Sequence, residues 1–218
     1  MHFSDLNLNK PLLKAIFEKN YETPTKVQIQ TIPLVLAKKN VIASAQTGTG
    51  KTAAFALPIL QLLFHQQDTN KEQKKIRALI VSPTRELAVQ INEEFTDYSK
   101  YTKLSSTVVY GGISIDAQKK VLKKGVDILI ATPGRLLDLC KQEIVDLSTI
   151  EILVLDEADL MLDMGFIDDI KKIDLLCPTQ KQILLFSATM PSKVVHFAKN
   201  LLSNPEIVEV ISRKSETT

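Results

Sequence analysis

The chain has 218 residues, of which 44% are hydrophobic and 24% are charged, and its net charge is +2. This length and apolar content suit one large α/β domain or two small ones. A net charge so close to neutral excludes a protein that binds nucleic acid through its overall charge, so any such surface must be a local patch. The basic run from Lys71 to Arg77 contains polar residues and is interpreted as a solvated loop.

The cysteines and the hydropathy of the chain indicate in which cellular compartment the protein works. Cys140 and Cys177 lie far apart in the sequence and form no Cys-x-x-Cys pair, which predicts a reduced, cytoplasmic setting. The first residues contain no apolar signal core, and no stretch is long enough to cross a membrane. We therefore expect no membrane partner.

The chain begins with an amphipathic helix. Its apolar residues recur at helical spacing at Leu12, Leu13, Ile16 and Phe17. Pro24 stops this helix, and the Thr25 hydroxyl can cap the next one. The sequence thus predicts two helices before the first strand.

A glycine-rich segment then follows a short buried strand at 41–45 and precedes a helical stretch at 53–64. Gly48 and Gly50 let the backbone aim successive N–H groups at an anion, and the helix N-terminus adds its positive dipole end. Lys51 would reach the β- and γ-phosphates of a nucleotide, and the Thr52 hydroxyl would bind Mg²⁺. The predicted phosphate-binding loop consists of Ala45, Gln46, Thr47, Gly48, Thr49, Gly50, Lys51 and Thr52. Ala45 stands where the usual pattern has glycine, so a plain turn between strand and helix is the alternative.

Six further apolar runs recur along the chain with helical patterns between them. Each run is short, rich in β-branched residues and not alternating, which is typical of strands buried on both faces of a parallel sheet. The predicted strands are 41–45, 78–81, 107–110, 128–131, 152–155, 183–186 and 207–210. Strands that alternate with helices predict right-handed βαβ units and a doubly wound, mostly parallel sheet of about seven strands, with helices on both faces.

In open parallel sheets ligands bind beyond the carboxyl ends of the strands, so polar residues directly after each run are candidate site residues. Asp156 and Glu157 follow the fifth run. Asp156 would hold Mg²⁺ largely through water, and Glu157 would deprotonate the attacking water. The alternative is an acidic first turn of a helix, which the helix dipole favours.

Two further segments place hydroxyl and proline residues at a helix start. They are Pro83, Thr84 and Arg85 after the second run, and Thr132, Pro133, Gly134 and Arg135 after the fourth. Ordinary helix capping explains both. The functional alternative is that these helix N-termini bind nucleic-acid phosphates, assisted by Arg85 and Arg135.

Small residues follow two other strands. Gly111 and Gly112 would let a nucleic-acid backbone pass close by, or they form a simple turn. Ser187, Ala188 and Thr189 follow the sixth strand, where their hydroxyls could link the nucleotide site to another part of the molecule or merely cap a turn.

Taken together, these motifs resemble the DEAD-box family of ATP-dependent RNA helicases, in particular their first RecA-like P-loop domain. The resemblance covers nearly the whole chain and keeps the family's motif order. The matching segments are 20–28 (Q motif), 45–52 (motif I), 83–87 (motif Ia), 111–112 and 132–135 (RNA-facing motifs), 156–159 (Asp-Glu-Ala-Asp) and 187–189 (motif III). The amino-acid sequence of residues 161–166 looks most like that of the bacterial RhlE-type branch.

The resemblance implies further roles. Gln28 would read the adenine edge, with Thr23 and Thr25 beside it, and the aromatic residues Tyr21 and Phe3 would lie near the base, although packing on the first helix is the alternative for both. Asp159, together with Ser187, Ala188 and Thr189, would couple the nucleotide state to the arrangement of two domains. RNA would be held by its sugar–phosphate backbone, without sequence specificity.

The resemblance also implies a second RecA-like domain, whose arginines stabilise the transferring phosphate, and no such motif follows Thr189. We therefore expect residues 1–211 to form a single RecA-like domain and 212–218 to begin an interdomain linker. Such a monomeric fragment would bind Mg-ATP, hydrolyse it poorly and unwind nothing alone. Two rival hypotheses are a small-molecule P-loop phosphotransferase and a non-catalytic RNA-binding module.

Overall fold

A computed structural model describes residues 1–65 and 74–210 of the chain. Its centre is a sheet of seven strands, and every pairing between neighbouring strands is parallel. The strands are β1 (Val41–Ser44), β2 (Ala78–Val81), β3 (Ser106–Val109), β4 (Ile128–Ala131), β5 (Ile152–Leu155), β6 (Gln182–Ser187) and β7 (Glu206–Glu209). All seven predicted strands are confirmed, within one residue at each end.

A 3₁₀-helix at Phe3–Leu6 precedes nine α-helices in the described residues. They are α1 (Lys10–Glu18), α2 (Lys26–Leu36), α3 (Lys51–His65), α4 (Arg85–Ser99), α5 (Ile115–Leu122), α6 (Pro133–Lys141), α7 (Ala158–Asp163), α8 (Ile167–Leu176) and α9 (Ser192–Leu201). Thr25 caps α2 by accepting a hydrogen bond from the Gln28 N–H, as the turn around Pro24 predicts.

The helices cover both faces of the sheet, which confirms the predicted doubly wound architecture. Side chains from α1 to α4 pack on one face with Val41 and Ala43 of β1, whereas α6 to α9 pack on the other face with Ile42. Successive side chains of a strand point to opposite faces, so each central strand contributes to two cores. This explains why the central strands are continuously apolar.

The strand order across the sheet is β3-β4-β2-β5-β6-β1-β7. β1 and β5 are therefore separated by one strand, β6. The segments that follow these three strands consequently meet at the carboxyl ends of the strands. This order brings the predicted phosphate loop, acidic pair and hydroxyl motif together.

Two expectations about burial are wrong. All seven strands were expected to be buried on both faces, but at the two ends of the strand order only Val109 of β3 and only Val208 of β7 are buried, and Ile207 is 67% exposed. Phe17 is 79% exposed, so the buried stripe of α1 is narrower than its periodicity predicts and is centred on Leu12 and Ile16. The predicted linker at 212–218 lies outside the described residues.

Candidate nucleotide and nucleic-acid site

A cleft of about 620 Å³ opens at the carboxyl edge of the sheet. Five parts of the chain line it: the N-terminal 3₁₀-helix, the turn before α2, the phosphate loop, one face of α4 and the acidic pair after β5. Predicted site residues on its wall are Tyr21, Thr23, Thr25, Gln28, Thr47, Gly48, Gly50, Lys51, Thr52, Asp156 and Glu157. The fold thus brings residues that lie up to 136 positions apart in sequence (Tyr21 to Glu157) to one cavity.

The phosphate loop has the backbone conformation that its glycines predict. Gly48 and Gly50 have φ angles of +78° and +85°, in the left-handed region that residues with a Cβ rarely adopt. No atom lies within 4 Å of a Cβ placed on Gly48, so that part of the loop is open. Thr49 donates its hydroxyl hydrogen to the Gln46 carbonyl at 2.7 Å, which closes the turn. Helix α3 then begins at Lys51, so its N-terminus lies in the cleft.

Lys51 and Glu157 form a buried ion pair across the cleft. The Lys51 Nζ atom lies 2.6 Å from Glu157 Oε1, and both residues are less than 9% exposed. Charges removed from water need such partners, because an unpaired buried charge is strongly destabilising. The predicted phosphate-binding lysine and the predicted base are therefore direct partners in this structure.

Asp156 is almost fully buried beside this pair, and its Oδ1 atom has no hydrogen-bond partner in the described residues. The pKa of Asp156 is raised to about 7, chiefly by burial; the Lys51 charge opposes the shift and the Glu157 charge adds to it. A buried carboxylate oxygen without a donor fits a cation, and Thr52 lines the same cleft. The donor set is thus suited to Mg²⁺, whose remaining ligands would be water and phosphate oxygens.

Glu157 adopts a strained backbone conformation. Its φ and ψ angles are 51° and 52°, the left-handed region, although it is not glycine. Residues held in this region cost on the order of 1–3 kcal/mol and often mark functional sites. The strain turns the chain from β5 into α7 and directs the Glu157 side chain to Lys51.

Gln28 joins the segment before α2 to the phosphate loop. Its Oε1 atom accepts a hydrogen bond from the Thr25 N–H at 2.9 Å, and its Nε2 atom donates to the Gly50 carbonyl at 3.1 Å. An amide oxygen has a second lone pair and an amide nitrogen a second hydrogen. Gln28 therefore keeps one acceptor and one donor for a ligand while it holds the loop.

The predicted aromatic residues differ in their environment. Tyr21 is 44% exposed on the wall of the cleft, which leaves its ring available to a base. Phe3 also lines the cleft but is only 4% exposed and packs in the core. Packing thus accounts for most of the Phe3 ring surface.

A hydrogen-bonded network connects the acidic motif to the segment after β6. The Thr189 N–H and hydroxyl both donate to Asp159 Oδ2, at 2.9 and 2.7 Å. The buried Ser187 hydroxyl accepts from the Asp159 N–H at 3.2 Å and donates to the Thr189 carbonyl at 2.7 Å. Partial burial alone would raise the pKa of Asp159, but the hydrogen bonds from Thr189 and Ser187 lower it.

The same segment reaches the phosphate loop. The Ala45 N–H donates to the Ser187 carbonyl at 3.1 Å, and Ala188 is the half-buried residue between Ser187 and Thr189. Because β6 lies between β1 and β5, the residues after it contact both neighbours. Ala45, Ser187, Asp159 and Thr189 therefore form one continuous path.

The predicted RNA-facing residues lie outside the cleft, after three adjacent strands. They are Pro83, Thr84 and Arg85 after β2, Gly111 and Gly112 after β3, and Thr132, Pro133, Gly134 and Arg135 after β4. The alternative reading as a helix cap holds for Thr84, which accepts a hydrogen bond from the Leu87 N–H at 3.3 Å. Thr132 makes no such side-chain bond, although Pro133 occupies the first turn of α6.

Two arginines connect these three loops. The Arg85 guanidinium lies 4.8 Å from the centre of the Tyr110 ring, and Arg135 Nη2 donates to the Ile113 carbonyl at 3.1 Å. Gly111 and Gly112 between them are exposed, and no atom lies within 4 Å of a Cβ placed on either. The three loops are thus held together around the open pair Gly111 and Gly112.

A family model described as DEAD/DEAH box helicase matches residues 25–197, and this span includes the phosphate loop, the acidic pair and the segment after β6. The chain belongs to this family. The match to DEAD/DEAH box helicases does not favour the phosphotransferase and non-catalytic alternatives.

Several relatives are close in sequence. The chain is 47% identical over 203 residues to the DEAD-box ATP-dependent RNA helicase RhpA of Helicobacter pylori, an alignment that covers 93% of this chain and 40% of RhpA. It is 48% identical over 217 residues to the ATP-dependent RNA helicase CshA of Limosilactobacillus reuteri, covering 100% of this chain and 42% of that protein. The chain thus spans well under half the length of these relatives.

The fold is similar to that of solved family members. A crystal structure of a DEAD box protein from the hyperthermophile Methanococcus jannaschii superposes with a TM-score of 0.87 at 40% identity, covering 96% of this chain and 56% of that one. A hypothetical ATP-dependent RNA helicase from Sulfolobus tokodaii gives a TM-score of 0.83 at 42% identity, covering 93% and 57%. These neighbours confirm the RecA-like fold of a DEAD-box domain.

Sequence reasoning missed the contribution of α4 to the cleft. Glu94 and Tyr98 line it, and the Tyr98 hydroxyl donates to Glu94 Oε2 at 3.1 Å. Burial raises the pKa of Glu94, whereas hydrogen bonds with Tyr98 and other neighbours oppose the shift. Their four-residue spacing, one turn beyond Leu87 and Ile91 on the same helix, places all four on one face and could have indicated a shared wall.

Among the described residues, no helix is long and apolar enough to cross a membrane. The described part of the chain also holds no group of three or more His, Cys, Asp or Glu side chains arranged for a metal. Magnesium at Asp156 would therefore depend on water and a bound phosphate for most of its coordination shell.

Proposed function

We propose that this chain is the ATP-binding, N-terminal RecA-like domain of an ATP-dependent RNA helicase, and that with a second RecA-like domain it couples ATP hydrolysis to RNA unwinding or remodelling. One observation carries the proposal: Lys51, Asp156 and Glu157 are buried together beside an open glycine-rich loop. A binding module without catalysis has no need for this hydrolytic set.

In this proposal Mg-ATP occupies the cleft. Tyr21, Thr23, Thr25 and Gln28 would contact the adenosine part, and the loop from Ala45 to Thr52 would hold the phosphates with its N–H groups. Thr52 and Asp156 would hold Mg²⁺, which when bound neutralises developing charge on the phosphate oxygens. The orphaned Oδ1 atom of Asp156 supports this assignment.

Glu157 is the proposed general base. In the present structure its carboxylate is engaged by Lys51 at 2.6 Å. A phosphate that takes over the Lys51 ammonium would release the carboxylate, which could then accept a proton from water. The ion pair thus keeps the base occupied until a nucleotide is bound.

RNA is the proposed partner of the surface formed after β2, β3 and β4. Its helix N-termini, Arg85 and Arg135 suit phosphate oxygens, and no base-specific pocket is needed for such contacts. Asp159, Ser187, Ala188 and Thr189 would transmit the nucleotide state, because their hydrogen bonds connect the acidic motif to the phosphate loop. A change in one bond of this path would be passed to its neighbours.

The proposal includes the domain arrangement. Residues 1–211 would form one RecA-like domain, 212–218 would begin a linker, and a second such domain would supply the arginines that stabilise the transferring phosphate. The coverage of only 40–42% of two relatives supports a longer working protein. Membership of the RhlE-type branch, a cytoplasmic location and a monomeric state of residues 1–218 also remain part of the proposal.

Steady-state ATP hydrolysis with and without single-stranded RNA tests the proposal. It would be measured on residues 1–218 and on a chain extended through the second domain. RNA-stimulated turnover is expected only in the extended chain, because an arginine from the second domain contributes on the order of 10³–10⁵ in rate. Strong RNA-stimulated turnover by residues 1–218 alone would overturn the split site, and absence of Mg-ATP binding by either protein would overturn the ATP assignment.

A further inference from the structure

Lysines cluster at the edge of the sheet opposite the proposed ATP and RNA sites. Lys74 and Lys75 precede β2, Lys103 precedes β3, and Lys123 and Lys124 precede β4. These three parallel strands are neighbours in the order β3-β4-β2. Their amino ends therefore lie side by side, and the lysines before them meet at one surface, which we call the amino-edge patch.

Direct contacts hold the three segments of this patch together. Lys74 Nζ donates to the Lys103 carbonyl at 2.6 Å and to the Ser105 hydroxyl at 3.0 Å. A Cβ placed on Gly125 would lie only 2.7 Å from the Lys74 carbonyl oxygen. The turn of Lys123 and Lys124 is therefore packed against the backbone of Lys74, so the cluster is built by the fold and not only by sequence proximity.

The patch carries excess positive charge. The Lys74 ammonium is paired with Asp127 at 2.8 Å, which balances one lysine. Lys75, Lys103, Lys123 and Lys124 are exposed, and among the described residues none of them has a carboxylate within 4.0 Å. The pKa of the nearby Asp146 carboxyl is lowered, chiefly by hydrogen bonds from Ser148, and the charge of Lys75 also lowers it.

We propose that the amino-edge patch is a second binding surface for the sugar–phosphate backbone of RNA. Phosphate contacts are made by lysine and arginine and need no base recognition. Protein–protein interfaces, by contrast, are depleted in lysine and rely on buried aromatic anchors. Val121, two residues before Lys123, is exposed, but neither of the large exposed aromatic side chains of the described residues (Phe17 and Tyr21) lies in the segments that form the patch. Charge complementarity therefore favours a nucleic acid over an acidic protein.

The patch and the proposed RNA face lie at opposite ends of the same three strands. Each strand has four residues, and at about 3.3 Å per residue it separates the two ends by about 13 Å, without the flanking turns. One phosphate cannot contact both surfaces. The patch would therefore hold a flanking segment of a long or structured RNA, an inference that rests on the proposed RNA-binding function.

The test compares two double variants that each remove two positive charges. K123Q/K124Q alters the patch, and K171Q/K172Q alters two adjacent exposed lysines of α8 that have aspartate partners at 3.7 and 3.6 Å. Affinity for a labelled 30-nucleotide single-stranded RNA would be measured by fluorescence anisotropy over a range of salt concentrations. K123Q/K124Q should weaken binding and reduce the slope of log K against log salt by about 1.4, at about 0.7 per phosphate contact. K171Q/K172Q should retain the wild-type slope.

Lysine acetylation with and without RNA locates the contact directly. RNA should protect Lys75, Lys103, Lys123 and Lys124 by at least about threefold and leave Lys171 and Lys172 unprotected. ATP binding should be unchanged in K123Q/K124Q, which shows that the variant is folded. Equal salt slopes for the two double variants, or no protection of the patch, would overturn the inference. Protection by polyglutamate but not by RNA would also overturn it, in favour of an acidic protein.

A third variant separates this inference from the proposed function. R85Q/R135Q removes the guanidinium groups of the RNA face at the other edge. If R85Q/R135Q alone abolishes RNA binding and K123Q/K124Q behaves like the control, the inference about the amino-edge patch is wrong and the proposal for the RNA face is supported. If only K123Q/K124Q weakens RNA binding, the inference about the amino-edge patch is supported and the proposal for the RNA face is wrong.

Discussion

The Lys51 ammonium contacts the Glu157 carboxylate at 2.6 Å in the floor of the cleft, and both residues are buried. The two groups come from different elements, since Lys51 begins α3 and Glu157 precedes α7. In the proposed function this contact would link phosphate binding to release of the base, because a phosphate that binds the Lys51 ammonium would replace the Glu157 carboxylate as its partner.

Glu157→Gln should keep ATP binding and lose turnover. Glutamine preserves the size of the side chain and can still accept a hydrogen bond from Lys51, but it cannot take a proton from water. In the full-length protein we expect the Kd for ATP to stay within a few-fold and the hydrolysis rate to fall by about 10²–10⁴-fold. The control is Glu206→Gln, which changes an exposed carboxylate at the start of β7 and should alter neither the Kd for ATP nor the hydrolysis rate. Wild-type turnover in Glu157→Gln would show that another group is the base.

Asp156 predicts an unusual dependence of stability on pH. Its pKa rises to about 7 on burial, against 3.8 for the ordinary residue, and Lys51, Glu157 and Glu94 are the charged groups that act on it. Between pH 4 and 7 the folded chain keeps a proton that the unfolded chain has lost. The contribution of Asp156 to the free energy of unfolding therefore falls as the pH rises through this interval and is lowest above pH 7.

Asp156→Asn removes this dependence. In EDTA and without nucleotide, the variant should match the wild type near pH 4 and exceed its free energy of unfolding by on the order of 4 kcal/mol at pH 8, at 1.36 kcal/mol per pKa unit. Urea unfolding at several pH values measures the difference. Asp168→Asn, an exposed aspartate of α8, is the control with no such trend. A variant less stable than the wild type at pH 8 would contradict the raised pKa.

The fold was predictable to a large extent because its signals are local. The runs 78–81, 128–131 and 152–155 coincide with β2, β4 and β5, since central strands of a parallel sheet are apolar on both faces. The two edge strands differ: β3 and β7 each have only one buried residue. A short apolar run does not reveal whether a strand has neighbours on both sides.

The sequence predicted that the site residues lie close together but not which of them contact each other. Motif order assigned Lys51 and Glu157 to the same site, yet nothing in the sequence indicates that they pair with each other. Glu94 and Tyr98 were missed for a similar reason, because whether a helix face lines a cavity depends on the packing of α4 beside the phosphate loop. Such tertiary relationships are not encoded in a local pattern.

Thr189→Val should weaken the path between the acidic motif and the segment after β6. Valine keeps the shape of threonine but cannot donate to Asp159 Oδ2, which loses one of its two bonds from residue 189. Because Asp159 is partly exposed, we expect a loss of about 1 kcal/mol in the free energy of unfolding at pH 7. The loss should fade as the pH falls, because the hydrogen bonds lower the pKa of Asp159 and protonation removes the acceptor charge.

Thermal or urea unfolding of Thr189→Val at pH 7 and pH 3 measures this effect. Thr96→Val is the matched control, because among the described residues the Thr96 hydroxyl bonds only to the carbonyl of Asn92 in its own helix. In the full-length protein Thr189→Val should retain ATP binding and lose RNA stimulation of hydrolysis. Undiminished RNA stimulation would show that the Asp159–Thr189 bond does not take part in coupling.

Gly50→Ala should damage the phosphate loop more than Gly48→Ala. Both positions have positive φ, so alanine is strained at each by about 1 kcal/mol. At Gly50 the added methyl would also collide with the Gln28 amide, whereas at Gly48 it would meet open space. The difference between the two variants therefore isolates the contact between the loop and Gln28.

We expect Gly50→Ala to lower the free energy of unfolding by about 1–3 kcal/mol more than Gly48→Ala, as for other overpacked sites. It should also weaken ATP binding more than binding of inorganic triphosphate, because displaced Gln28 lies on the proposed adenine side of the cleft. Urea unfolding and calorimetric titration with both ligands measure the two effects. Gly111→Ala, which has no positive φ and no atom within 4 Å of the added methyl, is the neutral control for stability. Equal effects of Gly50→Ala and Gly48→Ala would mean that Gln28 moves aside freely, and its role in holding the loop would then be wrong.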